Sequence, residues 1–237
     1  RDYATASPFL SRWTDRLEVI PPPVELPATT PEAIRALGER LNPLGRRPVI
    51  GMAARLAAEK GVEVLLRALP GVLAAHPDTV VLFAGQHRDV LGEQAYCERL
   101  QPHIAQLQRE GRWHFAGVLS PEGMAAFYPN LDVLAVPSLN ATESFGLVQV
   151  EAMMSGVPVV AANLPGVRQP VRLTGMGLVA EVGDHSSLAD ALLRVLARPA
   201  DFAADPVEIA ARFSPDATAS SYEQMFGRLL GPRLTPT

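Results

Sequence analysis

The chain has 237 residues and a mass of 25.4 kDa, 48% apolar and 19% charged, enough for one large domain with a buried core, or one domain plus extensions. Its net charge of −4 excludes a general positive field for nucleic acid or an anionic membrane and leaves only a local patch open. A single cysteine, Cys97, excludes an internal disulfide and a thiolate metal cluster, and the longest apolar runs are of strand length, so neither a membrane-spanning helix nor an oxidising compartment is expected.

The chain opens Arg1-Asp2-Tyr3, with no initiator Met and no signal-peptide pattern, and is expected to be a fragment or to lack its beginning. Residues 1–16 read as a short helical stub carrying Trp13, and residues 17–20 as a strand stopped by Pro21-Pro22-Pro23. Consecutive prolines impose an extended path, which suits an inter-domain hinge or a rigid surface loop equally well. A short helix is predicted over 31–41. From residue 48 the pattern is regular: strands at 48–53, 79–84, 113–115, 133–136, 157–161 and 177–180. Helices at 61–75, 93–109 (with an irregularity at Pro102), from Ser120, 145–155, 187–197 and 215–230 complete the reading. Ser120 is a natural cap and Pro121 a natural first helical residue. The tail 231–237 is expected to fray.

Continuously apolar strands alternating with helices imply a doubly wound, mostly parallel sheet covered on both faces. Such sheets bind ligands beyond the carboxyl ends of their strands. After the first core strand come Ala54-Arg55-Leu56-Ala57-Ala58-Glu59-Lys60-Gly61. Arg55 and Lys60 could neutralise a diphosphate there, although two solvated loop charges fit the same spacing. After the fourth core strand come Pro137-Ser138-Leu139-Asn140-Ala141-Thr142-Glu143-Ser144-Phe145-Gly146-Leu147, then a helix carrying Glu151. A helix start offers unpaired N–H groups and a positive dipole end, Gly146 permits close approach, and Glu143 and Glu151 can accept hydrogen bonds from sugar hydroxyls. Glu143 could instead serve only the helix dipole. Glu151, with apolar neighbours Val150, Ala152 and Met153, is less at ease as a solvated residue. Gly85, after the strand at 79–84, is a weak signal that a plain turn also explains. Val118 and Leu119 stand at another strand-to-helix corner whose backbone could meet a flat base.

Other chemistries lack their patterns. The chain shows no dinucleotide or P-loop glycine motif, no nucleophile elbow, no Asp-x-Asp, and no metal spacing among His76, His87, His103, His114 and His185.

Together these segments resemble the C-terminal domain of retaining family 4 (group 1) glycosyltransferases with the GT-B fold, over residues 17–230. The most specific part runs from Pro137-Ser138 through Glu143-Ser144-Phe145-Gly146-Leu147 and Glu151-Ala152-Met153 to Gly156-Val157-Pro158-Val159-Val160-Ala161. The resemblance implies a Rossmann-like donor-binding domain at 17–230, preceded at 1–16 by the exit segment of an N-terminal domain. It implies transfer of a sugar, with retained anomeric configuration, from a nucleotide-diphosphate sugar to an acceptor hydroxyl. Arg55, Lys60 and Glu143 would be the catalytic set. Gly85, Val118, Leu119, Ser144, Phe145, Gly146, Leu147 and Glu151 would bind the nucleotide sugar. No metal and no cofactor are implied, only a UDP-, GDP- or ADP-sugar donor. The acceptor and a catalytically relevant His would belong to the N-terminal domain. A cytoplasmic location is implied, with peripheral membrane contact by the parent left open and no nucleic-acid partner. A binding module without turnover, or a GT-B-fold sugar epimerase, are the alternatives. The sequence departs from the family pattern at Ala54 (usually Gly), at Pro165-Gly166 (usually a glycine pair), at Gln169 (often acidic) and at the hinge, Pro22-Pro23.

Overall fold

A computed structural model describes residues 7–140 and 143–230. Six parallel strands, β1 Val49–Ala53, β2 Val80–Ala84, β3 Trp113–Gly117, β4 Val133–Val136, β5 Val159–Ala162 and β6 Gly177–Ala180, form one sheet in the order β3-β2-β1-β4-β5-β6. The strands are apolar on both sides because both faces are covered, as a sheet built from strand–helix–strand units requires. Side chains alternate between the faces. Ile50, Met52, Val81, Phe83, Val133, Ala135 and Val160 point into one core layer. It is closed by α2 Val62–Ala75, α3 Gln94–Arg109 and α7 His185–Ala197. Val49, Leu82, Ala84, Leu134, Val136, Val159 and Ala161 point into the other. That layer is closed by α1 Pro31–Leu41, α4 Pro121–Phe127, α5 Leu147–Met154, α6 Gln169–Thr174 and α8 Pro206–Arg212.

The chain leaves β1 into α2 on one face and β4 into α5 on the other, so the two central strands diverge at their carboxyl ends. This is the topological switch point at which doubly wound sheets form a ligand crevice.

The strand predicted at 17–20 does not form. The sheet already ends at β3 and β6, and the three prolines that follow donate no backbone hydrogen bonds. The segment instead runs beside the last helix, α9 Pro215–Leu230, through an ion pair between Glu18 and Arg228 and a hydrogen bond from Thr218 Oγ1 to the Pro21 carbonyl at 3.2 Å. Of the expected N-terminal helical stub, Leu10–Arg16 is a 3₁₀ helix with a kink at Trp13; residues 1–6 and the tail 231–237 lie outside the described residues. Helix α3 passes without a break through Pro102. Helix α5 starts at Leu147, two residues later than predicted, because Gly146 takes left-handed backbone angles. Helices α6 and α8 were not expected, being too short to show a period of their own.

Candidate functional site

The site is assembled where the loops after β1 and β4 meet. The β1 loop contains a single 3₁₀ turn, Ala58–Lys60, ended by Gly61 at φ +70°. A Cβ on Gly61 would lie 2.0 Å from the carbonyl oxygen of Pro137, the residue that follows β4. Only glycine therefore allows the two loops to touch here. They are stitched by a hydrogen bond from the Leu139 N–H to the Glu59 carbonyl at 2.8 Å. The contact carries Lys60 across the switch point to an ion pair with Glu143, both side chains about one-fifth exposed. Behind the pair lies a cavity of about 20 Å³ between the ends of β1 and β4, lined by Met52, Ala135, Ser138 and Val148 among others, large enough for a single water.

Helices α2 and α5 both open from a left-handed glycine, Gly61 and Gly146, and neither has a side-chain cap. Two helix N-termini thus stand at the crevice from opposite faces of the sheet; in α2 the Glu63 N–H donates to the Tyr96 hydroxyl at 3.2 Å. Each end carries partial positive charge and suits an anion. Arg55 adds a cation at the mouth; it is about half exposed and rests on Glu59 at 2.9 Å. The fixed charges are balanced, Arg55 against Glu59 and Lys60 against Glu143. A Lys ammonium has three donors, so Lys60 can keep Glu143 and still meet a phosphate.

The remaining residues singled out in the sequence fall into two groups. Ser144, Phe145, Gly146 and Leu147 lead directly into α5. The Phe145 ring turns inward, 6.0 Å from the Phe213 ring. Glu151 sits half-buried one turn along the same helix. Gly85 and Val118 lie at the ends of β2 and β3. Gly85 has φ +134° and a virtual Cβ 2.0 Å from the Ala54 carbonyl, so close packing of the first loop accounts for it. Val118 is exposed, whereas the adjacent Leu119 packs against the core. Ala141 and Thr142 of the motif lie outside the described residues.

Three contacts were not visible in the sequence. Gln149 is fully buried and its Nε2 donates to the Phe145 carbonyl at 3.2 Å and the Val167 carbonyl at 2.8 Å, tying the Glu143–Gly146 loop to the loop after β5. The hydroxyl of the buried Tyr128 donates to Glu151 Oε2 at 2.5 Å. His87, after β2, stacks on Phe115 of β3 with centroids 3.9 Å apart and planes within 6°. No local pattern singles out Gln149, and none pairs Tyr128 with Glu151 or His87 with Phe115. Among the described residues no group of three or more His, Cys, Asp or Glu side chains converges to hold a metal, and no helix is long and apolar enough to cross a membrane.

The sequence profile of the family described as "Glycosyl transferases group 1" matches residues 36–213. The chain is 37% identical over 186 residues to a D-inositol 3-phosphate glycosyltransferase of Corynebacterium jeikeium, covering 76% of this chain and 43% of that protein. Its fold superposes with a TM-score of 0.66 on Anabaena HepE, solved in complex with UDP, at 28% identity, covering 84% of this chain and 54% of that one. A C-terminal domain of a glycosyl transferase group 1 family protein from Francisella tularensis matches in fold with a TM-score of 0.59 and 20% identity, over 84% of this chain and 96% of that domain. The chain spans about half the length of the curated relatives it matches.

Proposed function

The chain belongs to the glycosyl transferases of group 1, and we propose that it is the donor-binding half of a retaining enzyme that moves a sugar from a nucleotide-diphosphate sugar to an acceptor hydroxyl. The observation that carries the reading is the switch-point crevice. Two helix ends that open from glycines, Arg55 and the Lys60–Glu143 pair gather where the loops after the two central strands meet.

In this reading Arg55 and Lys60 hold the diphosphate, together with the backbone N–H groups of Phe145, Gly146 and Leu147, with Ser144 leading into them. Glu143 receives hydroxyls of the donor sugar. Glu151 holds the ribose. Gly85, Val118 and Leu119 border the base. As the glycosidic bond breaks, negative charge grows on the diphosphate, where the two cations and the two helix dipoles are already aimed. Such preorganised charge stabilises the transition state more than the ground state, which is what accelerates a reaction. The site offers no covalent nucleophile a role, and no cofactor is assigned to it. The acceptor hydroxyl must be held about 3–3.5 Å from the anomeric carbon, a task given to parts of the parent protein beyond this chain. The isolated chain is therefore expected to bind donor without turnover.

Isothermal titration of the 237-residue chain against UDP-, GDP- and ADP-sugars tests the proposal. One of the three classes is expected to bind, with no sugar transferred to added acceptors. Absence of binding by all three would overturn the assignment of the crevice. Turnover at the rate of the full-length parent would overturn the division of labour.

A further inference from the structure

Tyr128 and Glu151 are 23 residues apart in sequence and come from different helical segments, yet they share a hydrogen bond of 2.5 Å. Tyr128 opens the 3₁₀ turn Tyr128–Asn130 that follows α4, and its side chain is fully buried. The turn is firmly held. The Tyr128 N–H donates to Met124, the Leu131 N–H donates to the Tyr128 carbonyl at 2.9 Å, and Asn130 Nδ2 donates to the carbonyls of Ile34 at 3.0 Å and Ala126 at 2.9 Å. The ring also meets Phe127 edge-on, with centroids 5.8 Å apart. The phenol is therefore a rigid donor anchored outside α5. Burial first, and the neighbouring Glu151 charge second, hold its proton well above the usual tyrosine range, so it stays a donor at every physiological pH.

Glu151 is the opposite kind of residue. It is half-buried, on the crevice helix, and its side chain has rotatable bonds that an unrestrained carboxylate would explore. Its Oε2 is taken by Tyr128, and an ionised carboxylate with one acceptor site filled has enough left for two vicinal hydroxyls. We propose that Tyr128 is a positioning residue for the nucleotide ribose: its hydroxyl fixes the Glu151 carboxylate through Oε2 and leaves Oε1 for the ribose hydroxyls. The inference rests on the reading of Glu151 given above. It assigns to a buried core tyrosine a part in discriminating ribose from deoxyribose.

The test uses the 237-residue chain and the nucleoside diphosphates UDP, GDP and ADP with their 2′-deoxy counterparts, by calorimetry. The wild type is expected to prefer the ribonucleotide of its cognate base. Tyr128→Phe keeps the ring and removes only the hydroxyl. It should narrow the ribo-over-deoxy preference by roughly three- to tenfold, the worth of one ordinary hydrogen bond. Glu151→Gln should narrow it at least as much. The 2′-deoxynucleotide, which keeps only the 3′ hydroxyl, should be weakened less than the ribonucleotide by Tyr128→Phe, whereas general loosening of the fold would weaken both equally. If Tyr128→Phe does not fold, 3-fluorotyrosine placed at position 128 alters the acidity of the same hydroxyl, and the preference must shift. A preference that collapses in Glu151→Gln but stays intact when position 128 is changed overturns the inference and leaves the donor-site reading standing. Nucleotide binding by the wild type with no preference for ribose overturns it also, by removing Glu151 from the ribose. Failure to bind any nucleoside diphosphate refutes the donor-site reading itself, and the inference falls with it.

Discussion

Replacing Gly61 by Ala tests the loop contact on which the site depends. Gly61 has φ +70° and ψ 29°, a left-handed conformation that costs an alanine about 1–2 kcal/mol. The added Cβ would also fall 2.0 Å from the Pro137 oxygen and 2.9 Å from its carbonyl carbon, both backbone atoms that cannot rotate away. The loops must separate, and the bond from the Leu139 N–H to the Glu59 carbonyl is expected to be lost, at about 1 kcal/mol. The expected total is about 2–4 kcal/mol. At about 2–4 °C per kcal/mol for a domain of this size, melting should fall by roughly 5–15 °C. Gly45→Ala is the matched control, with φ +59° and open space around the new methyl, so it should lose only the conformational part. Thermal unfolding followed by circular dichroism measures both, and donor titration at low temperature reads the site directly. Gly61→Ala should weaken donor binding and Gly45→Ala should not. Equal melting losses in the two variants would show that the Pro137 loop gives way freely, and the argument that this contact builds the crevice would be wrong.

Three other outcomes follow from the same structure. Lys60→Ala should weaken a nucleotide-sugar by about 1.5–3 kcal/mol while sparing the corresponding nucleoside, and equal weakening in titrations of both would remove Lys60 from the diphosphate. Cys97 is held above its ordinary pKa by burial and then by Glu93; its reaction with a chromogenic disulfide reagent near neutral pH should be slower than that of a free thiol, and an equal rate would refute the environment described. The Tyr96 hydroxyl is pushed up to about 12, chiefly by burial, against 10.0 for a free tyrosine. The folded state therefore binds that proton more tightly than the unfolded chain, and its contribution to stability is full below pH 10 and lost between pH 10 and about 12. Urea midpoints across that range should fall less in Tyr96→Phe than in the wild type, and parallel curves would count against the shift.

Much of the fold was legible because its signals are local. Residues such as Val80, Val81, Leu82 and Phe83 form an unbroken apolar run whose short length, ended by Gly85, marks a strand buried on both faces, and the helix over Val62–Ala75 shows its period in its own sequence. Residues 17–20 misled for the same reason. Their apolar pattern is that of a strand, but a strand needs a free neighbour, and whether one exists is not written within four residues. The site was legible as far as its parts lie next to strand ends, which places Arg55, Lys60, Glu143 and the start of α5 by topology alone.

The sequence by itself therefore determined the class of fold and which residues stand at the carboxyl ends of its strands. Only the tertiary structure decided which of them meet. Lys60 reaches Glu143 because Gly61 lets one loop settle on the Pro137 carbonyl of another, 76 residues further on. Val118 stays exposed while its neighbour Leu119, half-buried, packs against the core. Glu151 is fixed by a tyrosine that has no sequence relation to it. Secondary structure follows from propensity and periodicity, which are properties of a few consecutive residues. A site is a set of distances between residues far apart in the chain, and these are set by how helices pack on the sheet, by which backbone can approach which, and by where a buried hydroxyl finds an acceptor.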